Sequence, residues 1–164
     1  MKRLAFAVPG DLATPTGGYA YDRRIIAELK TLGWTIDVID LGKEYPRPDA
    51  ANRAAALPLL TRMPQGQPIV IDGLAFGVLA AAAASLHRRN PLIALVHQPL
   101  ALESGLSLAD ANKFRASERK ALEFARRVIV TSASTASLMA MDYGVPSEHI
   151  TVVRPGSDPV APAV

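Results

Sequence analysis

The chain has 164 residues, 49% hydrophobic and 20% charged, the balance of one α/β domain large enough to bury a core. It contains no cysteine, which excludes a disulfide scaffold, a thiolate metal site and a cysteine nucleophile, and is compatible with a reducing cytosol. With 18 Lys+Arg against 15 Asp+Glu the formal charge is +3 and the basic residues are spread along the chain, which gives no basis for a nucleic-acid partner.

Taken in chain order, MKRLAFAVPG combines a basic pair with apolar residues, but Pro9, Gly10 and Asp11 interrupt the run. It is too short for a secretory signal and predicts a first strand, Arg3–Val8, buried on both faces. Beyond the glycine pair of TPTGGYAYDRR, Ile25, Ile26, Leu29 and Leu32 recur at helical spacing, and Gly33 closes the helix. TIDVIDL (35–41) predicts a second strand. Asp49 caps a helix through the alanine-rich stretch to Arg62. QPIVIDG (67–73) predicts a third strand, and Leu74 to Arg89 one helix that Asn90-Pro91 stops. LIALVH (92–97) predicts a fourth strand. Ser107 with Asp110 forms a capping box for a charged helix to about Arg126. RVIVTS (127–132) predicts a fifth strand, followed by a helix from Ala133 to Tyr143 closed by Gly144, and ITVVRPG (150–156) a last strand. The tail SDPVAPAV reads as a linker or a cut end.

Strands alternating with helices imply right-handed crossovers and a parallel sheet. The predicted fold class is therefore α/β, a doubly wound, Rossmann-like parallel sheet in three α/β/α layers. In such sheets ligands bind beyond the carboxyl ends of strands, where strand order reverses. That selects Pro9 to Gly18, Asp72-Gly73, His97 to Gly105, Thr131-Ser132 and Arg154 to Asp158. The longest apolar run, Leu74 to Leu86, falls short of the roughly 20 residues that cross a bilayer. The expected location is the cytoplasm, in solution or peripheral to the inner face of the membrane.

Gly17-Gly18 fits no standard nucleotide fingerprint. The dinucleotide motif needs G-x-G-x-x-G directly after the first strand, whereas eight residues separate Val8 from Gly17 and the glycines are adjacent. Asp40, at the end of the second strand, imitates a ribose-binding acid, but the glycine pattern fails. No Gly-Lys-Ser/Thr follows for a P-loop. Two readings stay open: bare backbone N–H groups offered to an anion at a helix N-terminus, or a turn that needs positive φ.

Of the remaining candidates, His97 in VHQP ends a buried strand, with either a ring tied to a neighbouring carbonyl or a place in the ligand crevice, where it can exchange protons near neutrality. Glu103 lies in the loop behind it. His87, beside Arg88 and Arg89, suits a helix C-terminus, and His149 lies in a polar turn. Three isolated histidines without cysteine show no metal-ligand spacing. Ser132 and Ser134 lack a base, and no G-x-S-x-G is present. Lys113, Arg115, Arg119, Lys120, Arg126 and Arg127 alternate with Glu118 and Glu123, the pattern of a solvated helix face.

Four stretches taken together resemble the N-terminal half of GT-B glycosyltransferases of the large retaining family 4, or "group 1", type. GGYAYDRRIIAELKTLGWTIDVIDL is similar to its Gly-Gly, helix and second strand, with Trp34 in place of the usual histidine. LVHQPLALESGL resembles its histidine-bearing fourth strand and loop. ERKALEFARRVIVTSASTASLMAMDYGVPSEHITVV resembles its E-x(6–8)-A-D-x-V-I-x-x-S-x(4)-L segment and G-V-P turn. RPGSDP is similar to its P-N-G-V-D junction, with Arg154 and Ser157 as departures. The resemblance spans nearly the whole chain in order.

It implies that residues 1–153 are a Rossmann-like acceptor-side domain and that residues 154–164 are a linker or truncated junction to a C-terminal donor-binding domain, the chain being one half of a GT-B fold. The implied function is sugar transfer from a nucleotide-sugar donor to a sugar or lipid-linked acceptor in carbohydrate biosynthesis, by a hexosyltransferase that retains configuration, needs no metal or other cofactor, and is inactive without its own C-terminal domain. Gly17 and Gly18 would meet the donor phosphates, and His97 would be the catalytic histidine at the transferred sugar. Tyr19, Tyr21, Asp72, Gly73, Glu103 and Ser132 would line the acceptor or sugar side. The alternatives are a non-catalytic sugar- or nucleotide-binding module, and a GT-B relative such as a nucleotide-sugar epimerase or an inverting transferase.

Overall fold

The computed structural model describes residues 2–157. Its strands are β1 Arg3–Val8, β2 Thr35–Asp40, β3 Ile69–Asp72, β4 Leu92–Val96, β5 Arg127–Val130 and β6 Ile150–Val152; its helices are α1 Gly17–Thr31, α2 Ala50–Thr61, α3 Gly73–Phe76, α4 Ala80–Leu86, α5 Leu108–Leu122 and α6 Ala133–Met141. All strand pairs are parallel, in the order β2-β1-β3-β4-β5-β6. The sequence predicts this alternation; the order comes from the chain stepping one way to β2 and then the other way from β3 onward. Right-handed crossovers then place α1 on one face of the sheet and the remaining helices on the other. The result is a Rossmann-like three-layer α/β fold.

Two cores follow from that asymmetry. The larger joins Ala5, Ala7, Ile69, Ile71 and Ala94 of the sheet to Leu60, Phe76, Leu86, Leu122 and Met139 of α2 to α6. The smaller joins Leu4, Phe6, Val8, Val70 and Leu95 to Ile26 of α1, with Ile25, Leu29 and Trp34 packed around it. A single helix cannot cover six strands. An apolar groove of about 380 Å³ remains beside α1, floored by Val70, Ile93, Leu95 and Ile129.

Several boundaries differ from the sequence expectation. Residues 74–89 do not form one helix. They divide into α3 and α4 where the backbone leaves helical geometry at Leu79 (φ −109°, ψ 32°); just before it Gly77 packs against Leu100 and Glu118, and a Cβ there would fall 2.5 Å from Leu100 Cδ1. The Ser117 hydroxyl also donates to the Gly77 carbonyl at 2.7 Å. The last strand ends at Val152 rather than reaching Gly156. Glu118, expected on the solvated face of its helix, is 1% exposed. The predicted linker is described only as far as Ser157; Asp158 and the rest of that stretch lie outside the described residues. Among the described residues no helix is long and apolar enough to cross a membrane.

Candidate functional site

Strand order reverses between β1 and β3, so the chain segments leaving β1, β3 and β4 converge at one edge of the sheet. Asp72, the last residue of β3, pairs in register with Leu95, which puts Asp72 and His97 side by side. Thr16 caps α1, its hydroxyl accepting from the Tyr19 N–H at 3.2 Å. That cap starts the helix with Gly17 and Gly18 in its first turn, directly over the strand ends. A pocket of about 370 Å³ results, lined by Thr16, Gly18, Tyr19, Asp72, Gly73, His97 and Glu103, with Leu74 and Gln98.

Neither Gly17 nor Gly18 has positive φ. The turn reading therefore fails. A Cβ on Gly18 would lie 3.4 Å from His97 Cδ2 and 3.5 Å from Nε2, while one on Gly17 would meet nothing within 4 Å. Gly73 is tight for a different reason: its Cβ would come within 3.0 Å of the Leu95 carbonyl oxygen.

His97 is held from several sides. Its Nε2 lies 3.1 Å from Oδ1 of Asp22 and 3.7 Å from Oδ2 of Asp72. The Tyr21 ring meets the imidazole edge-on at a centroid distance of 5.3 Å. The Thr131 hydroxyl donates to the His97 carbonyl at 3.3 Å. Gly18, Tyr21 and Asp22 are spaced i, i+3, i+4, so all three face the imidazole from one side of α1.

Both carboxyls are buried, Asp22 at 0% and Asp72 at 1% exposure. Burial first, and then the neighbouring Asp22, push the Asp72 carboxyl up to about 7. Oδ1 of Asp72 accepts the Leu74 N–H at 2.8 Å and so caps α3. Oδ2 of Asp22 is buried without a hydrogen-bond partner. Burial alone would pull His97 down, but its hydrogen bond to Asp22 and the charges of Asp22 and Asp72 hold it above the usual histidine value. Atoms of Asp22, Asp72 and His97 all lie within 4.8 Å of one another. Of these contacts only His97–Asp22, at 3.1 Å, is a hydrogen bond; the three side chains together are also a set that could hold a cation.

The family model for Glycosyltransferase Family 4 matches residues 15–160, nearly the whole chain. The chain belongs to that family. No curated protein matches it. Membership makes this a glycosyltransferase domain, with a sugar donor and an acceptor as substrates, on a sheet consistent with one half of a GT-B fold.

Within this glycosyltransferase domain the expected site residues divide. Gly18, Tyr19, Asp72, Gly73, His97 and Glu103 share the pocket, where Glu103 accepts from the Gln98 amide at 2.8 Å. The Tyr19 hydroxyl donates to the Pro9 carbonyl. Tyr21 braces His97 but donates its hydroxyl to the Val153 carbonyl at 2.9 Å. With Gly17, Arg23, Arg24, Arg154 and Gly156 it lines a separate open cleft of about 600 Å³. Ser132 stands apart from both: it caps α6, accepting from the Thr135 N–H at 3.1 Å. Asp40 accepts from the Gly42 N–H at 2.8 Å in a local turn. His87 closes α4 with Nδ1 2.9 Å from the Ala84 carbonyl. Asp22 is the residue that sequence reading missed. Its partner lies 75 positions away, and only the i, i+3, i+4 spacing with Gly18 and Tyr21 signals it.

Proposed function

We propose that this glycosyltransferase domain serves a retaining, metal-independent transfer of a hexose from a nucleotide-sugar donor to a sugar or lipid-linked acceptor in carbohydrate biosynthesis. The observation that supports it is the meeting of the α1 N-terminus with His97 in one pocket at the switch point of the sheet. A helix N-terminus attracts an anion through its free N–H groups and dipole. Gly17 and Gly18, free of side chains, let a diphosphate approach that backbone. His97 stands beside it with a raised proton affinity, suited to donate a hydrogen bond to the transferred sugar or the departing phosphate as charge develops there.

Asp72, Gly73, Tyr19 and Glu103 form the opposite wall, where the acceptor binds. In this reading a second α/β domain closes over the pocket and supplies the basic groups for the diphosphate, so residues 1–153 alone do not turn over. The reaction takes place in the cytoplasm or at the inner face of the membrane.

The test is product analysis with the complete enzyme and a panel of UDP- and GDP-sugars. Retention of the donor's anomeric configuration in the product, with activity indifferent to EDTA, is expected. An inverted product, or an isomerised donor with no transfer, would replace this reading with that of an inverting transferase or an epimerase.

A further inference from the structure

Asp22 lies in the second turn of α1, fully buried, in a position where an unpaired carboxylate would be expensive. Among the described residues it caps nothing and pairs with no lysine or arginine; its hydrogen bond in the structure is to His97 Nε2. The same helix lays the bare Gly18 backbone against the imidazole and sets Tyr21 edge-on to it. We propose that Asp22 is a positioning residue for His97: it takes the Nε2–H, leaves Nδ1 as the ring nitrogen for a ligand, and gives the imidazole a buried anionic partner. One rigid helix then holds both the glycines of the anion-binding turn and the group that orients the histidine. The catalytic consequence rests on the reading of the pocket given above; the pairing itself does not.

The groups facing His97 are Asp22 and Tyr21 from α1, Asp72 at the end of β3, and Glu103 from the loop after β4. Arg154, beyond β6, lines the cleft on the far side of Tyr21. Asp72 is the weaker partner on geometry, at 3.7 Å against 3.1 Å. It also keeps its other oxygen for the Leu74 N–H. Tyr21 donates its hydroxyl elsewhere, to Val153. Asp22 is thus the group whose loss should change the imidazole most.

The experiment needs no ligand. Long-range 1H–15N spectra of the His97 ring are recorded against pH in the wild-type chain and in Asp22→Asn, Asp22→Ala and Asp72→Asn. The wild type is expected to show the Nε2–H tautomer when neutral. Asp22→Asn keeps an acceptor oxygen but no charge, so the tautomer should persist while the titration midpoint falls by about one pH unit, at the low end for an opposite charge within hydrogen-bond reach. Asp22→Ala should lose the tautomer preference as well, and Asp72→Asn should move the midpoint less than Asp22→Asn does. If Asp22→Ala does not fold, Asp22→Asn alone decides. An Nδ1–H tautomer in the wild type, or an Asp22→Asn midpoint equal to the wild type's, would overturn the proposal. In the complete enzyme Asp22→Asn should also shift the histidine limb of the kcat/KM profile to lower pH by the same interval. A shifted NMR titration with an unshifted rate profile would count against His97 in the chemistry and leave the pairing standing.

Discussion

Gly18 stands in the first turn of α1 with helical backbone, so its lack of a side chain matters for what lies over it. An alanine Cβ would make ordinary van der Waals contact with His97 at 3.4 and 3.5 Å, and alanine is the better helix former by up to about 1 kcal/mol. Gly18→Ala is expected to leave the Tm of the chain unchanged or slightly raised. In the complete enzyme its methyl, roofing the imidazole, should lower turnover at least several-fold. A lower Tm with unchanged turnover would assign the glycine to packing alone. The sequence shows a glycine pair and a strand-end histidine as separate features. What it conceals is the reason for the pair, because φ is a property of the folded backbone. Asp22 was hidden for a related reason: a buried acid on a helix differs from a solvated one only through its partner, here contributed by the end of β4.

At the level of single elements, α5 shows how a charge pattern misleads. Glu118 alternates with basic neighbours, yet it sits four residues after Phe114 and three and four before Ala121 and Leu122, on the apolar stripe that faces the core. Its Oε2 accepts the Leu100 N–H at 3.0 Å and so fixes the turn of 3-10 helix at Leu100–Leu102 behind His97. Burial pushes the Glu118 carboxyl up to about 7, as it does that of Asp72. A carboxyl raised on folding binds its proton more tightly in the native state, so unfolding releases the proton. Its contribution to stability is complete at acid pH and is lost as pH rises from the ordinary carboxylate range to about 7. The chain should therefore melt higher near pH 5 than near pH 8. Glu118→Gln keeps an acceptor for Leu100 and should reduce that difference by raising the Tm at pH 8; an unaltered pH dependence of Tm would refute the assignment. Leu100 also packs against Gly77. Gly77→Ala would press a methyl into Leu100 at 2.5 Å and is expected to destabilise by about 1–3 kcal/mol, measured by urea denaturation.

The molecule as a whole was legible in its periodicity. Continuous apolar runs in RLAFAV, LIALV and RVIV announced strands, the first of them buried on both faces, and the stretches between them announced helices. Strand order was not legible, since parallel register comes from packing across the crossovers, and with it went the isolation of α1 on one face and the groove beside it. The site was legible as a set of strand ends. Its grouping comes from geometry, which gathers Gly18, Asp72, Gly73 and Glu103 with His97 and sends Ser132 to a helix cap. The proposed transfer depends on His97 at the reacting centre. Steady-state turnover of the complete enzyme with His97→Ala tests it most directly: a fall of at least about tenfold, on the order of 1.4 kcal/mol of transition-state stabilisation, is predicted, and turnover equal to the wild type's in a folded variant would contradict it.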